Sequence, residues 1–479
     1  MKLKVFKIKN FRGYSDEITI DINNFTAFVG KNDIGKSTIL EAMNIFFNGG
    51  DSRQLIPIDK DDINKTCLKN GDNDIVFSAC FDDLPDTIQI DSTYLTNLKD
   101  EYLLNKDGYL EIIKYYPNAS SKEKVYIKAL HPANCNCSDL LSKKNSELKK
   151  IIETNNIPCE NKSVNSLMRK AIWEFYGAAD LQLNEIEIDV SKGDSDGIKC
   201  IWEKLKDYLP LYSLFQSDRQ NSDTDDEVQD PLQAAVKQII STSDIQNKLK
   251  KISDTVLNEL QNIATDTLEE LKKINENLAS TLEPKIPNVE DLKWADVFKK
   301  VTISSNNDIP INKRGSGVKR LILLSFFQAE AEKKKTEFNN RGIIYAIEEP
   351  ETSQHYEHQR ILMEALKKIS TNSDTQVLIT THSSVVVKEM SFDDIRIIDE
   401  ENKSKIIKLV ETHYLPSPSL NEINYLVFGE ISCEYHDELF GYLETKARDL
   451  DDVSGQKSFD SWLKAKLSGQ RKENSPRKH

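Results

Sequence analysis

Long apolar runs are missing from this 479-residue chain. The longest stretch, "LILLSFF" at 321–327, falls well short of the ~18 residues that span a bilayer. The opening "MKLKVFKIKNF" lacks the apolar core of a secretory signal. Cysteine is scarce and odd in number: the seven are scattered, which argues against a disulfide framework and fits a reducing compartment. Basic excess is missing too. A net charge of −14 speaks against a general nucleic-acid coat and leaves only a local basic patch for that purpose. No internal repeat is visible. These absences lead to the expectation of a soluble, cytoplasmic protein with no membrane contact. With 38% hydrophobic and 30% charged residues, the chain is long enough for two to four domains and a sizeable core.

What is present begins near the amino terminus. "LKVFKIKNF" and "EITIDI" read as two strands, and "FTAFVG" as a short buried one. Then comes G-x-x-x-x-G-K-S, formed by Gly30, Gly35, Lys36 and Ser37, with a helix expected from Lys36 to about Phe47. Strand, glycine loop and helix is the setting a phosphate cradle needs. The glycines let backbone N–H groups approach phosphates, and the helix start adds a positive dipole. Lys36 should reach the β- and γ-phosphates of a nucleotide, and Ser37 should ligate Mg²⁺. Lys31, Asn32, Asp33 and Thr38 complete the expected nucleotide contacts.

Three later stretches complement this loop. "IIYAIEEPE" is an apolar strand ending in carboxylates. Glu348 is expected to hold Mg²⁺ through its water shell, and Glu349 to act as general base on the attacking water. "LITTHSS" carries His382 to the same sheet edge, where it could sense the γ-phosphate. "NKRGSGVKR" sets Arg314, Gly315, Ser316 and Gly317 before a helix, a second anion-binding helix start. One nucleotide does not need two such ends from one protomer. Two protomers arranged head to tail would use each end once.

Further strands are expected at 74–81, 110–116 and 124–130, and a hairpin at 395–410. Helical texture begins near Asn134. From Pro231 to about Leu282 an apolar stripe (Ile245, Leu249, Ile252, Val256, Leu260) recurs at steps of three and four. It reads as packing within its own domain or as an antiparallel arm. The expected domains are 1–133 and 291–412, the two parts of an ATPase head; 134–290, a helical insertion or dimerisation arm; and 413–479, docking helices with a basic tail. That tail, from Gln456, holds seven basic against two acidic residues. It is either solubilising or a weak contact for DNA or RNA.

Other clusters carry less. His131, Cys135, Cys137 and Cys159 could be zinc ligands, but C-x-C is not the usual C-x₂-C knuckle, and loop thiols are the expected reading. "DTDDEVQD" lacks the glycine and glutamate spacing of a calcium loop, and nearby Arg219 could face nucleotide or a partner. Glu434, His436, Asp437 and Glu438 could form a nuclease site. The preferred reading is an amphipathic docking helix with Tyr435, Leu439, Tyr442 and Leu443 on one face.

The four stretches, in this order, resemble the ABC-type ATPase heads of the RecF and SMC group. The opening "IKNFRGYSDEITI" is similar to that group's first hairpin. The likeness is nearest to the overcoming-lysogenization-defect (OLD) ATPases, including those of the Gabija and Septu antiphage systems. "IEEPETSQH" is similar to their Walker B and D-loop run, "TTHSS" to their switch histidine and "RGSGVKR" to their degenerate signature. The resemblance covers about residues 1–130 and 290–410. It implies an α/β P-loop ABC-type head with a large helical insertion, ATP and Mg²⁺ as cofactors, and a homodimer or higher homo-oligomer. Lys36, Ser37, Glu348, Glu349 and His382 would form one half-site, completed by Ser316 and Gly317 of the partner subunit. A Q-loop residue is implied as well; Gln54, Asp61 and Asp62 are the candidates. OLD nucleases continue into a Toprim domain. Here roughly 70 residues follow "KIIKLVET", with no E-G-x-x-D/E pattern. The resemblance therefore implies an ATPase switch working with a separately encoded effector nuclease or toxin. A stand-alone ATP-gated nuclease with an unrecognised site is the alternative. An SMC-like clamp is a third reading, weakened by an insertion too short for a long arm.

Overall fold

The structure is a computed structural model. It describes residues 1–215 and 342–449, apart from 50–55, 91–93, 121, 178–179, 189–197, 353–354, 402–403 and 412–413, and a few helical positions at 245–265, 459 and 464. Gln54, Arg219, the 223–230 acidic run, Arg314, Ser316 and Gly317, and almost all of the 231–282 stripe and the basic tail, lie outside these residues. By contacts the chain divides into one unit of Met1–Ser217 with Lys333–His479, and a second of Asp218–Glu332. No described helix is long and apolar enough to cross a membrane.

Among the described residues the first unit holds two six-stranded sheets flanked by helices, an α/β fold. The first sheet is antiparallel, in the order β2 (Ile18–Asp21), β1 (Lys2–Lys9), β4 (Ile75–Asp82), β5 (Leu110–Tyr116), β6 (Lys124–Pro132), β7 (Leu181–Glu187). The second is mixed, in the order β12 (Ser404–Lys408), β11 (Ile395–Glu401), β3 (Phe25–Val29), β10 (Thr375–Thr381), β9 (Ile343–Glu348), β8 (Leu211–Phe215). Its strands β11, β3, β10, β9 and β8 run parallel, and only the closing β11–β12 hairpin is antiparallel. Every residue of β3 and β10 is buried. Strands covered on both faces read as unbroken apolar runs rather than alternation, as "FTAFV" does.

Helix α1 (Lys36–Asn48) is apolar around most of its girth because both sheets press on it. Ile39, Leu40, Met43, Ile45 and Phe46 are at most 1% exposed. Phe46 meets Phe6 of β1 edge-on at 5.7 Å, and Phe47 stacks on Tyr212 of β8 at 5.4 Å. The Tyr212 hydroxyl donates to the Leu40 carbonyl at 2.7 Å, and that of Tyr116 to Ile45 at 3.3 Å. Burying each such side chain contributes roughly 1.5–3 kcal/mol, so the phosphate-loop helix is among the best-anchored elements.

The segment after Asn134 departs from the expected all-helical texture. Helices α3 (Asn145–Thr154), α4 (Asn165–Tyr176) and α5 (Ile198–Lys206) are there, after a short α2 (Lys65–Lys69), but so are β7 and β8. β7 adds an edge to the first sheet by pairing with β6, and β8 an edge to the second by pairing with β9. "LQLNEIE" and "LYSLF" are short, and their strand state is set by the partners beside them. In α4, Arg169 is buried in a bidentate pair with Glu101, Nε to Oε2 at 2.7 Å and a terminal nitrogen to Oε1 at 2.9 Å. His131 is a core residue: its Nδ1 lies 3.1 Å from the Tyr102 carbonyl, and its ring meets Trp173 edge-on at 5.9 Å. Cys137 is fully buried with Trp173 Nε1 on its carbonyl, whereas Cys135 is exposed. The zinc reading thus gives way to packing, and no three potential ligands gather among the described residues.

Lys114 of β5 is fully buried between the rings of Phe46 (5.2 Å) and Trp202 (5.4 Å). Burial lowers its pKa to about 8, and Glu123 at 3.4 Å offsets this only in part. The folded pKa lies below the unfolded one, so the unfolded chain binds more protons between them. Stability therefore rises with pH from about 8 toward ~10.4, by roughly 3 kcal/mol from this group alone. Lys114→Met should be the more stable form at pH 7 and lose that advantage by pH 10. Urea midpoints of both proteins at the two pH values check this.

Candidate functional site

Three parallel strands end at one edge of the second sheet, β10 lying between β3 and β9. Val29 is level with Thr381, and Glu348 with Thr380. The loop after β3, the acidic end of β9 and the "TTHSS" turn are thereby brought to one place. The crevice beyond the carboxyl ends of parallel strands is where open α/β sheets bind ligands.

The phosphate loop has the required backbone. Gly35 has φ +105° and Asp33 φ +59°, left-handed conformations that glycine and aspartate tolerate better than most residues. A Cβ on Gly30 would sit 2.8 Å from Ile34 and 3.1 Å from the Ile398 carbonyl. No side chain caps the start of α1. The Lys36 ammonium donates to the carbonyls of Gly30 (2.9 Å) and Lys31 (2.8 Å), spanning the loop. Burial pushes its pKa down, and the carboxylates of Glu349, Glu351 and Asp33 pull it back up. Lys31, Asn32 and Asp33 are exposed, while Ser37 and Thr38 are half-buried on the first turn of α1.

The acidic pair divides as the end of a strand requires. Glu348, the last residue of β9, is buried. Glu349 turns outward with φ +39°, a strained value for a non-glycine residue and of a kind that clusters at functional sites. Its N–H donates to the Thr380 carbonyl at 3.1 Å. Its Oε1 lies 3.0 Å from His382 Nδ1, and its Oε2 accepts from the Thr352 hydroxyl at 3.3 Å. The carboxylate is oriented through both oxygens and is still a quarter exposed, so it remains open to water.

Several contributors carried no role in the sequence reading. Tyr14, fully buried in the β1–β2 hairpin, donates its hydroxyl to the Gly35 carbonyl at 3.0 Å. Arg12 pairs with Glu41 of α1 and with Asp62 (2.7 Å). Asp62, a Q-loop candidate, is thus engaged by Arg12 and by the Asp59 N–H, while Asp61 is exposed. Glu351 is buried against the His382 turn. Its only signal in the sequence was a third acid right after Pro350. In the carboxyl-terminal segment, α6 (Tyr356–Ser370) and α7 (Ser384–Lys388) precede α8 (Leu420–Phe428) and α9 (Cys433–Asp449). Glu438 is taken up by Ser419 and Asn421, and His436 and Asp437 are exposed. Tyr435 is buried, in keeping with a packed helix face.

A glycine loop after β3, a lysine spanning it and a carboxylate–imidazole pair at the ends of the next two strands define a P-loop nucleoside triphosphatase. The chain belongs to the AAA ATPase domain family, whose pattern matches residues 1–387. It is an ATPase. No curated protein matches it significantly. Similar solved structures include the SMC head domain from Thermotoga maritima, 13% identical with a TM-score of 0.34, covering 86% of this chain and 100% of that one. Another is an Smc head domain with an extended coiled coil, bound to the C-terminal domain of ScpA and derived from Pyrococcus furiosus. It is 14% identical with a TM-score of 0.38, over 85% of this chain and 95% of that one.

Gly35→Ala should weaken the loop. A methyl group there would meet the Tyr14 hydroxyl at 3.1 Å and hold an L-residue at φ +105°, at a cost of roughly 1–2 kcal/mol. ATP affinity should fall about tenfold or more, measured by titration calorimetry, while circular dichroism stays that of the parent.

Proposed function

We propose that this ATPase is a nucleotide-driven switch for a DNA-linked antiphage defence system. Two copies close head to tail on ATP, and the closed state is read by a separately encoded effector nuclease or toxin. In each half-site Gly30, Lys31, Asn32, Asp33, Gly35, Lys36, Ser37 and Thr38 hold the nucleotide. Arg314, Ser316 and Gly317 of the partner subunit complete it. The helical segment within 134–290 serves as the dimerisation arm. The observation that carries the catalytic part is the Glu349–His382 pair at 3.0 Å, at the strand edge that also bears the phosphate loop. The defence role is supported by the resemblance of "IEEPETSQH", "TTHSS" and "RGSGVKR" to OLD-type heads.

The residues present suit Mg²⁺: a hydroxyl on the first turn of α1 and a buried carboxylate ending β9 offer hard oxygen donors. Ser37 and Glu348 would hold it, and when bound it would neutralise charge on the phosphates. Lys36 exchanges its two loop carbonyls for phosphate oxygens. Glu349 accepts a proton from water as the water oxygen bonds to the γ-phosphorus and the bond to the bridging oxygen breaks, giving ADP and phosphate. His382 keeps Glu349 turned toward that water.

Lys36→Ala should abolish ATP binding in calorimetry; unchanged affinity refutes the site. Glu349→Gln should keep ATP binding, lower kcat by two orders of magnitude or more, and accumulate ATP-bound dimers in light scattering. Monomers under those conditions overturn the head-to-tail arrangement. The isolated chain should leave duplex DNA intact with Mg²⁺ or Mn²⁺. Cleavage that survives Glu349→Gln and dies with Asp437→Ala would establish the stand-alone nuclease instead.

A further inference from the structure

Glu351 follows the acidic pair by two residues and behaves differently from both members. It is 3% exposed. One of its oxygens, Oε1, accepts two hydrogen bonds: from the Thr381 hydroxyl at 2.6 Å and from the His382 backbone N–H at 3.2 Å. The other, Oε2, is buried with no hydrogen-bond partner among the described residues. Thr381 also accepts from the Ser383 N–H at 3.0 Å, and the Ser383 hydroxyl donates to Gln359 of α6 at 3.1 Å. His382 itself is partly exposed along its side chain, at 39%, so the direction of the ring depends strongly on the backbone that carries it. Glu351 is one of the groups that hold that backbone.

We propose that Glu351 is a positioning residue for ATP hydrolysis, its carboxylate fixing the Thr381–His382 turn so that the imidazole meets Glu349. The inference rests on the reading of Glu349 and His382 as the catalytic pair. Glu351 is not placed as a second base: Oε1 is committed to two protein donors, and Oε2 is buried away from solvent. Its contribution is to tie the end of β9 to the end of β10 beyond the last rung of the ladder. Without that tie the turn keeps its bonds through Ser383 but loses the one made at the His382 N–H itself.

The test is steady-state ATPase kinetics on the full chain. Glu351→Ala should lower kcat about tenfold or more and leave KM for ATP within about twofold. Glu351→Gln keeps an oxygen acceptor at the same place and should restore most of kcat. Thr381→Val removes one of the two donors and should give a smaller loss, with KM again kept; it serves as the second probe should the alanine variant fold poorly. Coupling is the deciding readout: in a His382→Ala background, Glu351→Ala should cost little more. An equal loss in both backgrounds, or a glutamine variant as slow as the alanine one, overturns the inference and leaves the Glu349–His382 pair standing. Wild-type kcat in His382→Ala overturns the parent reading and this one with it.

Discussion

Strand β10 is hydrogen-bonded in parallel to β3 on one side and to β9 on the other, and the site depends on that ladder. The phosphate loop and the acidic strand lie more than three hundred residues apart in the chain. Parallel pairing places their carboxyl ends at the same edge, level with the end of β10. Both faces of β10 are buried, so a one-residue slip would exchange the side chains packed on its two faces. The distance between Glu349 and His382 is therefore inherited from backbone pairing first and refined by side chains second.

Around that ladder the fold supplies stiffness where phosphate chemistry needs it. Helix α1 is gripped by Phe6 of one sheet and Tyr212 of the other. Tyr14 and Arg12 reach its start and its flank from the β1–β2 hairpin. Together these groups hold the loop in a backbone that the chain would not otherwise favour. At the far end, Asn424 of α8 donates to the Ser384 carbonyl at 3.1 Å. The carboxyl-terminal helices are thereby joined to the element that follows His382, giving the segment expected to dock a partner a bonded connection to the His382 turn.

The first sheet carries its own buried charges, and they serve structure. Arg169 and Glu101 satisfy each other bidentately, and Glu111 accepts from Lys7 at 2.7 Å, Asn105 at 3.0 Å and Ser78 at 3.2 Å. Removing one member of a buried pair costs about 3–5 kcal/mol, while replacing the pair by apolar groups can be neutral. Burial and charge alone thus do not mark a functional residue here. Glu351 and Glu111 are both buried carboxylates, and they differ in the neighbour each one holds: the His382 turn for Glu351, and Lys7, Asn105 and Ser78 for Glu111.

The sequence by itself determined the phosphate loop, the strand–helix setting on either side of it, the acidic strand end and the histidine turn. Each is a local pattern: residue spacing, glycine placement and unbroken apolar runs act over fewer than a dozen positions, and the backbone obeys them wherever the chain goes. Tertiary structure decided what local patterns cannot encode. "LQLNEIE" and "LYSLF" became strands because β6 and β9 offered edges. His131 and Cys137 became core because Trp173 packs against them. Tyr14, Arg12 and Glu351 acquired partners from distant segments. Those contacts arise only when two sheets close on α1 and bring far-separated residues within hydrogen-bonding reach.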